Sequence, residues 1–280
     1  MFRHFRITNR IYLGTGLVLI LAILALTGQA IAITWGEPDA DNTYSNVGAI
    51  VLDRPEREPS QFCTGTLIAP NVFLTAGHCT DYLEELISEE LITQAMIKVS
   101  FDPEDIFDPE GWIEIAQIVT HPLYGTTENN NPHDVAVLIL AESLDLPLAT
   151  LPELGYLEQL KRDKVLGDGP EKAKIIVAGY GTTIDWPPPE VLDNGPNRWF
   201  AFSEYRAIMK PWLLMSQNHI IGNAGTCFGD SGGPAFIDYG GELVLVGITS
   251  WGDPNCVATG FDYRVDIAET LDFIGPFINP

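Results

Sequence analysis

The stretch "GTCFGDSGGP", Gly225 to Pro234, sets the terms for the whole chain. An aspartate, Asp230, stands directly beside a serine, Ser231, and glycines surround both. Glycine reaches backbone conformations closed to other residues, at an entropy cost on folding. That cost is tolerated where a turn is unusual or where a ligand approaches the main chain. The segment therefore reads as a site built from backbone. The rest of the sequence must say what such a site is for.

Around it lie short apolar or alternating runs: "VGAIVL", "GTLIAPNVFLTA", "AMIKVSF", "GWIEIAQIVT", "DVAVLIL", "KIIVAGYG", "GGPAFI" and "ELVLVGITSWG". Gly, Pro, Asn and Asp separate them. Many short strands at this spacing predict an all-β sandwich or barrels, not a parallel sheet with interleaved helices. Helical periodicity predicts a surface helix over Asp81 to Gln94 and a closing helix over Val265 to Ile278. The Pro-rich stretch Ile184 to Asn197 reads as a surface loop, and Leu151 to Lys164 as a connection between domains.

The chain has 280 residues, enough for one large domain or two smaller ones. A composition of 46% hydrophobic and 19% charged residues suits a folded globular protein. A formal charge of −23 argues against nucleic acid or an anionic membrane as partner. The N-terminus is basic through Arg3, Arg6 and Arg10, and the apolar run Ile11 to Leu26 that follows is 16 residues long, short of the ~20 that span a bilayer. Ala30-Ile31-Ala32 then has the small-x-small form of a signal cleavage site, so residues 1–32 read as a signal peptide and the mature chain as starting at Ile33. An uncleaved membrane anchor is the competing reading. Secretion or a periplasmic location follows from the first.

Four cysteines, Cys63, Cys79, Cys227 and Cys256, suggest two disulfides in an exported chain, and spacing leaves the three possible pairings open. With no CxxC pair, zinc is disfavoured. The acidic stretch Phe101 to Gly111 lacks the spacing of a calcium loop and reads as solvated.

A serine hydroxyl needs a base within reach and an acid that orients the base. His78 lies in "LTAGHC" and Asp134 in "HDVAVLIL". Alone, each suits a structural role. Taken in order with "CFGDSGGP", and with "ITSWG" near the end, these motifs resemble the chymotrypsin/trypsin family of serine peptidases over the whole chain from Ile33 onward. The resemblance implies two packed six-stranded antiparallel β-barrels with a C-terminal helix. Residues 33–152 would form the first barrel and 153–280 the second. It implies His78 as general base and acid, Asp134 as its orienter, Ser231 as nucleophile, and the amides of Gly229 and Ser231 as an oxyanion hole. It implies protein or peptide substrates and neither cofactor nor metal. Asp230 would pair with the α-amino group of Ile33, although Thr34 and Trp35 depart from the family's usual valine and glycine. The disulfides would be Cys63–Cys79 and Cys227–Cys256. The Ser250 hydroxyl would support the acid, and Ser250, Trp251 and Gly252 would lie along the substrate.

In the resembled family the floor of the primary pocket lies six positions before the nucleophile, which is Gly225. With Gly252 and Gly260 as walls, an uncharged floor favours neutral or apolar side chains, while nearby Asp262 would favour basic ones. A catalytically silent or membrane-anchored binding protein on the same fold is the alternative to a secreted endopeptidase.

Overall fold

In the computed structural model, residues 33–126, 130–167, 169, 171–185, 190–192 and 195–278 are described. The expected signal segment, 1–32, lies outside them. Among the described residues no helix is long and apolar enough to cross a membrane.

The chain enters through a two-residue strand, β1 (Glu37–Pro38), and then builds a barrel from β2 (Val47–Leu52), β3 (Ser60–Ala69), β4 (Val72–Thr75), β5 (Ile97–Ser100), β6 (Ile113–Thr120) and β7 (Ala136–Leu140). The order around the barrel is β2-β3-β4-β7-β6-β5, all pairs antiparallel. Every residue of β2 is buried, as its Val and Ile content suits. Pro70 and Asn71 turn β3 into β4, Pro fixing φ and Asn tolerating the bend.

The second half contributes β8 (Ile175–Gly179), a hairpin of β9 (Thr183–Asp185) and β10 (Glu190–Leu192), then β11 (Trp199–Ile208), β12 (Trp212–Ser216), β13 (Pro234–Tyr239), β14 (Glu242–Gly252) and β15 (Thr259–Arg264). The sheet runs β11-β12-β15-β14-β13-β8, and β8 pairs back onto β11 to close it. The protein is thus all-β with two six-stranded antiparallel barrels, as expected. The stretch expected as a plain loop, Ile184 to Asn197, contains β10 and most of β9. Residues grouped by position with the first barrel join the second instead: β1 pairs with β11, and Thr34 bridges Gly225. A buried ion pair, Arg198 Nε to Asp39 Oδ2 at 2.8 Å, pins this segment. Arg198 also donates to the carbonyls of Val47 and Phe101, which ties it to the first barrel.

Among the described residues, three α-helices complete the fold: α1 (Gly77–Ser88), α2 (Tyr156–Arg162) and α3 (Ala268–Ile278). The first differs from expectation at both ends. It begins at Gly77 because its first-turn amide at His78 finds an acceptor in Asp134 Oδ1, 2.8 Å away. It ends at Ser88 because Glu90 turns left-handed, with φ 58°. The expected connection Leu151 to Lys164 contains α2.

The closing helix packs on the first barrel. Phe273 of α3 lies 4.9 Å from the ring of His121, which stacks on His133 at 4.6 Å. Burial, and then the neighbouring His133, hold the His121 pKa below its ordinary value, with Glu269 acting against them. A histidine depressed in the folded state stabilises the fold above its unfolded pKa of about 6.5, and that contribution is lost as pH falls through this value towards the folded pKa. The His121 contribution to the melting temperature is expected to fall between pH 7 and pH 5. His121→Asn, which keeps an acceptor for the Leu123 amide, is expected to flatten that fall. Thermal melts at matched ionic strength check it.

Candidate active site

Asp134 precedes β7 and is buried, and its carboxylate gathers donors from both barrels. The His78 amide donates to Oδ1 at 2.8 Å. His78 Nδ1 lies 3.0 Å from Oδ2 and 3.2 Å from Oδ1. The Ser250 hydroxyl of β14 donates to Oδ2. Burial pushes the carboxyl pKa up, but the hydrogen bonds from His78 and Ser250 outweigh it and hold Asp134 below the usual carboxylate range. An ionised carboxylate only accepts, so Nδ1 carries the proton and Nε2 is left as the basic nitrogen.

His78 is part-exposed, and Cys79 next to it bonds to Cys63. That bridge closes a loop between residues 16 apart, worth about 3 kcal/mol in the chain-entropy model. Cys79 Sγ is 3.6 Å from His78 Nε2 and 3.7 Å from the Ser231 carbonyl oxygen. Ser231 is therefore held against the same sulfur as the imidazole. Among the described residues no hydrogen bond joins the Ser231 hydroxyl to Nε2. The cluster Cys63, His78 and Cys79 cannot serve a metal, because both sulfurs are spent in the disulfide. Cys227 bonds to Cys256.

The serine loop is held by its carbonyls. Phe228 O accepts from the Thr182 amide at 2.6 Å and from its hydroxyl at 3.1 Å. In a trans peptide the N–H points opposite the C=O, so the Gly229 N–H is turned away from Thr182. Gly229 O accepts from Gln61 Nε2 at 2.6 Å and Thr64 Oγ1 at 3.0 Å. Only glycine fits there: φ is +95°, and a Cβ would lie 2.4 Å from Gln61 Oε1. Asp230, Gly232 and Gly233 spend their amides on Cys227, Thr249 and Asp230 carbonyls. Among the described residues the amides of Gly229 and Ser231 have no hydrogen-bond partner, and both residues are part-exposed.

Asp230 itself points inward and is fully buried. Burial pushes its pKa up to about 7, against the amides of Cys227 (2.8 Å) and Gly181 (2.7 Å) that donate to it. Ile33 is fully buried too, and Thr34 exchanges two backbone hydrogen bonds with Gly225, at 3.0 and 3.1 Å. Among the described residues no ion pair joins Ile33 to Asp230; the Ile33 nitrogen is here a peptide amide.

Beside Ser231 opens a pocket of about 260 Å³ whose lining includes Thr226, Phe228, Thr249, Ser250, Trp251 and Gly252. Trp251 is half exposed and stacks on Phe261 at 3.7 Å. Gly225 and Gly260, expected as floor and wall, lie against Gln217, which sequence reasoning missed. A Cβ on Gly225 would sit 2.3 Å from Gln217 Cγ, and one on Gly260 3.0 Å from its Nε2. Gln61 and Thr64 were also missed. All three lie outside the catalytic motifs, and nothing in the local pattern marks them.

A family model described as Trypsin matches residues 33–274. Vitamin K-dependent protein C of Mus musculus is 29% identical over 253 residues, covering 82% of this chain and 48% of that protein. Trypsin of Simulium vittatum is 28% identical over 209 residues, covering 71% of this chain and 73% of that protein. The CLIP domain-containing serine protease B4 of Anopheles gambiae is 23% identical over 259 residues, covering 85% and 68%. The chain spans about half the length of the protein C sequences it matches.

Proposed function

Because this chain belongs to the trypsin family, we propose that it is an exported serine endopeptidase that cleaves proteins or peptides through an acyl-enzyme. The observation that carries this reading is the 3.0 Å pairing of His78 Nδ1 with the buried Asp134 carboxylate, which leaves Nε2 free to act as base.

In this mechanism Ser231 turns its hydroxyl to Nε2 when substrate docks. Apo sites often hold this contact open until then. Nε2 takes the hydroxyl proton as Oγ attacks the scissile carbonyl carbon. The carbonyl oxygen becomes an oxyanion and accepts from the Gly229 and Ser231 amides, one such donor being worth about 3–4 kcal/mol. The imidazolium, stabilised by Asp134, gives its proton to the departing amine. Water then repeats the sequence on the acyl-enzyme and frees Ser231.

Processing fits the same reading. Ile33 has φ 59°, a strained value for a β-branched residue. Cutting the Ala32–Ile33 bond abolishes that torsion and frees an ammonium for the buried Asp230. The disulfides suit an oxidising compartment. Taken alone, an uncharged Gly225 and the open wall at Gly252 would select a neutral or apolar side chain, while Asp262 would favour a basic one.

A fluorophosphonate probe is expected to label the processed wild-type protein covalently, and to leave Ser231→Ala unlabelled. A folded, processed protein that takes no label would overturn the reading in favour of a silent binding module.

A further inference from the structure

Beneath the pocket lies a group of buried polar side-chain oxygens with no hydrogen-bond partner. Among the described residues, Asp262 Oδ1 and Oδ2, Gln217 Oε1 and Thr249 Oγ1 are buried without a hydrogen-bond partner. They are contiguous with the pocket. Thr249 lines it and stands directly opposite Asp262 across the β14–β15 ladder, so the two side chains share a face. Gly260, two residues before Asp262 on that face, abuts the Gln217 amide. Gln217 Nε2 is spent on Thr226 O and Oγ1, both at 3.0 Å, and Thr226 lines the pocket as well. The amide is thus anchored at its nitrogen and offers its oxygen.

Gly247 and Leu213, one small and one apolar, stand beside Asp262. A Cβ on Gly247 would lie 2.9 Å from Asp262 Cβ and 3.3 Å from Ala235 Cβ. Leu213 stands opposite on β12. Arg264, the next charged residue along β15, is engaged by Asp266 and Glu158. No described cation of this chain answers Asp262. A buried carboxyl with no partner is costly, and here burial pushes its pKa well above the usual range. A donor brought in from outside would both satisfy it and restore its charge.

We propose that Asp262, with Gln217, is the specificity-determining floor of the primary pocket and selects a cationic side chain at the residue whose carbonyl is attacked. The inference rests on the endopeptidase reading above. It places the selecting charge on β15, away from Gly225 at the start of the serine loop. A guanidinium carries five donors in a planar fork, enough to serve Asp262 and Gln217 Oε1 together, whereas an ammonium is a compact point charge. Arginine is therefore preferred to lysine. A leucine or phenylalanine side chain leaves the acceptors unpaired, and sites built around buried polar groups reject such analogues strongly.

Matched peptide esters with Arg, Lys, Leu or Phe at the cleaved position test this on the processed protein. The expected kcat/KM for Arg exceeds that for Leu and Phe by about 100-fold or more. Asp262→Asn is expected to lower Arg turnover far more than Leu turnover and so to remove most of that margin. Asp262→Ser serves if the first variant does not fold, and competitive inhibition of wild type by benzamidinium, an aromatic amidinium, gives a measurement that needs no variant. Faster turnover of Leu or Phe than of Arg by wild type overturns the inference and leaves the endopeptidase standing. So does an unchanged Arg-to-Leu ratio in the variants, or failure of benzamidinium to compete. No turnover of any ester, together with no fluorophosphonate labelling, overturns the endopeptidase reading and this inference with it.

Discussion

Replacing Ser231 with alanine is expected to lower kcat on a peptide ester by about 10⁶-fold, the loss found when the nucleophile of a Ser-His-Asp site is removed. The argument for so large and so clean an effect is structural. The Ser231 side chain makes no hydrogen bond to another described residue, while its main-chain carbonyl accepts from the Thr64 amide at 2.8 Å. Alanine keeps that backbone bond, the position of the amides and the disulfides. It removes only the atom that would form the acyl bond. The melting temperature is therefore expected to stay within a degree or two, as for a substitution that breaks no packing. Residual hydrolysis above water should persist, because the free amides of Gly229 and Ser231 still polarise a bound carbonyl. A variant that keeps even a hundredth of wild-type kcat would remove Ser231 from the chemistry.

The second large effect is expected at Asp134. Changing it to asparagine preserves size and most of the packing, yet kcat is expected to fall by about 10⁴-fold, the loss known for this substitution at a Ser-His-Asp site. The reason lies in which oxygen does what. Oδ1 is the acceptor for the His78 amide at 2.8 Å, at the start of α1. That N–H cannot accept, so the asparagine oxygen must stay on that side. The NH₂ then takes the place of Oδ2, which faces His78 Nδ1 at 3.0 Å and the Ser250 hydroxyl. Facing a donor, Nδ1 must give up its proton, and the proton moves to Nε2. The imidazole then points a donor at Ser231, and the base is gone. Ser250 must also rotate its hydroxyl. Steady-state kinetics with active-site titration reads the effect, and a loss smaller than tenfold would show that Asp134 does not set the tautomer.

Ser231 and Asp134 both stand in short motifs whose order along the chain singles them out. Much of the framework was legible in the same way. The strongly apolar runs became β2, β4, β5, β7, β8, β13 and β14 because Val, Ile and Leu at these densities bury well in a closed sheet. β11, β12 and β15 were not foreseen. "WFAFSEYRAI" buries Trp199, Ala201, Ser203 and Tyr205 in alternation, but Phe200 and Phe202 on the opposite face and the polar Ser203 on the buried one mask the pattern. "TGFDYR" looks like a turn, since Gly260 and Asp262 are poor strand formers. The ladders to β12 and β14 make it a strand regardless of propensity. The helix over 77–88 was expected four residues too late because what starts it is a carboxylate 56 positions away.

The sequence by itself determined the fold class and marked out His78, Asp134 and Ser231 as the candidates for chemistry. Those depend on local apolar density and on the order of short motifs, and both can be read along a line. Only the tertiary structure decided how the site is held and what lies beneath it. Gln61 and Thr64 reach Gly229 from 168 and 165 residues away, and Ser250 reaches Asp134 from 116. Asp262 meets Thr249 only because two strands fall into one register. Hydrogen bonds across a barrel carry no local pattern, and a buried acceptor without a donor can be recognised only when every neighbour is in place.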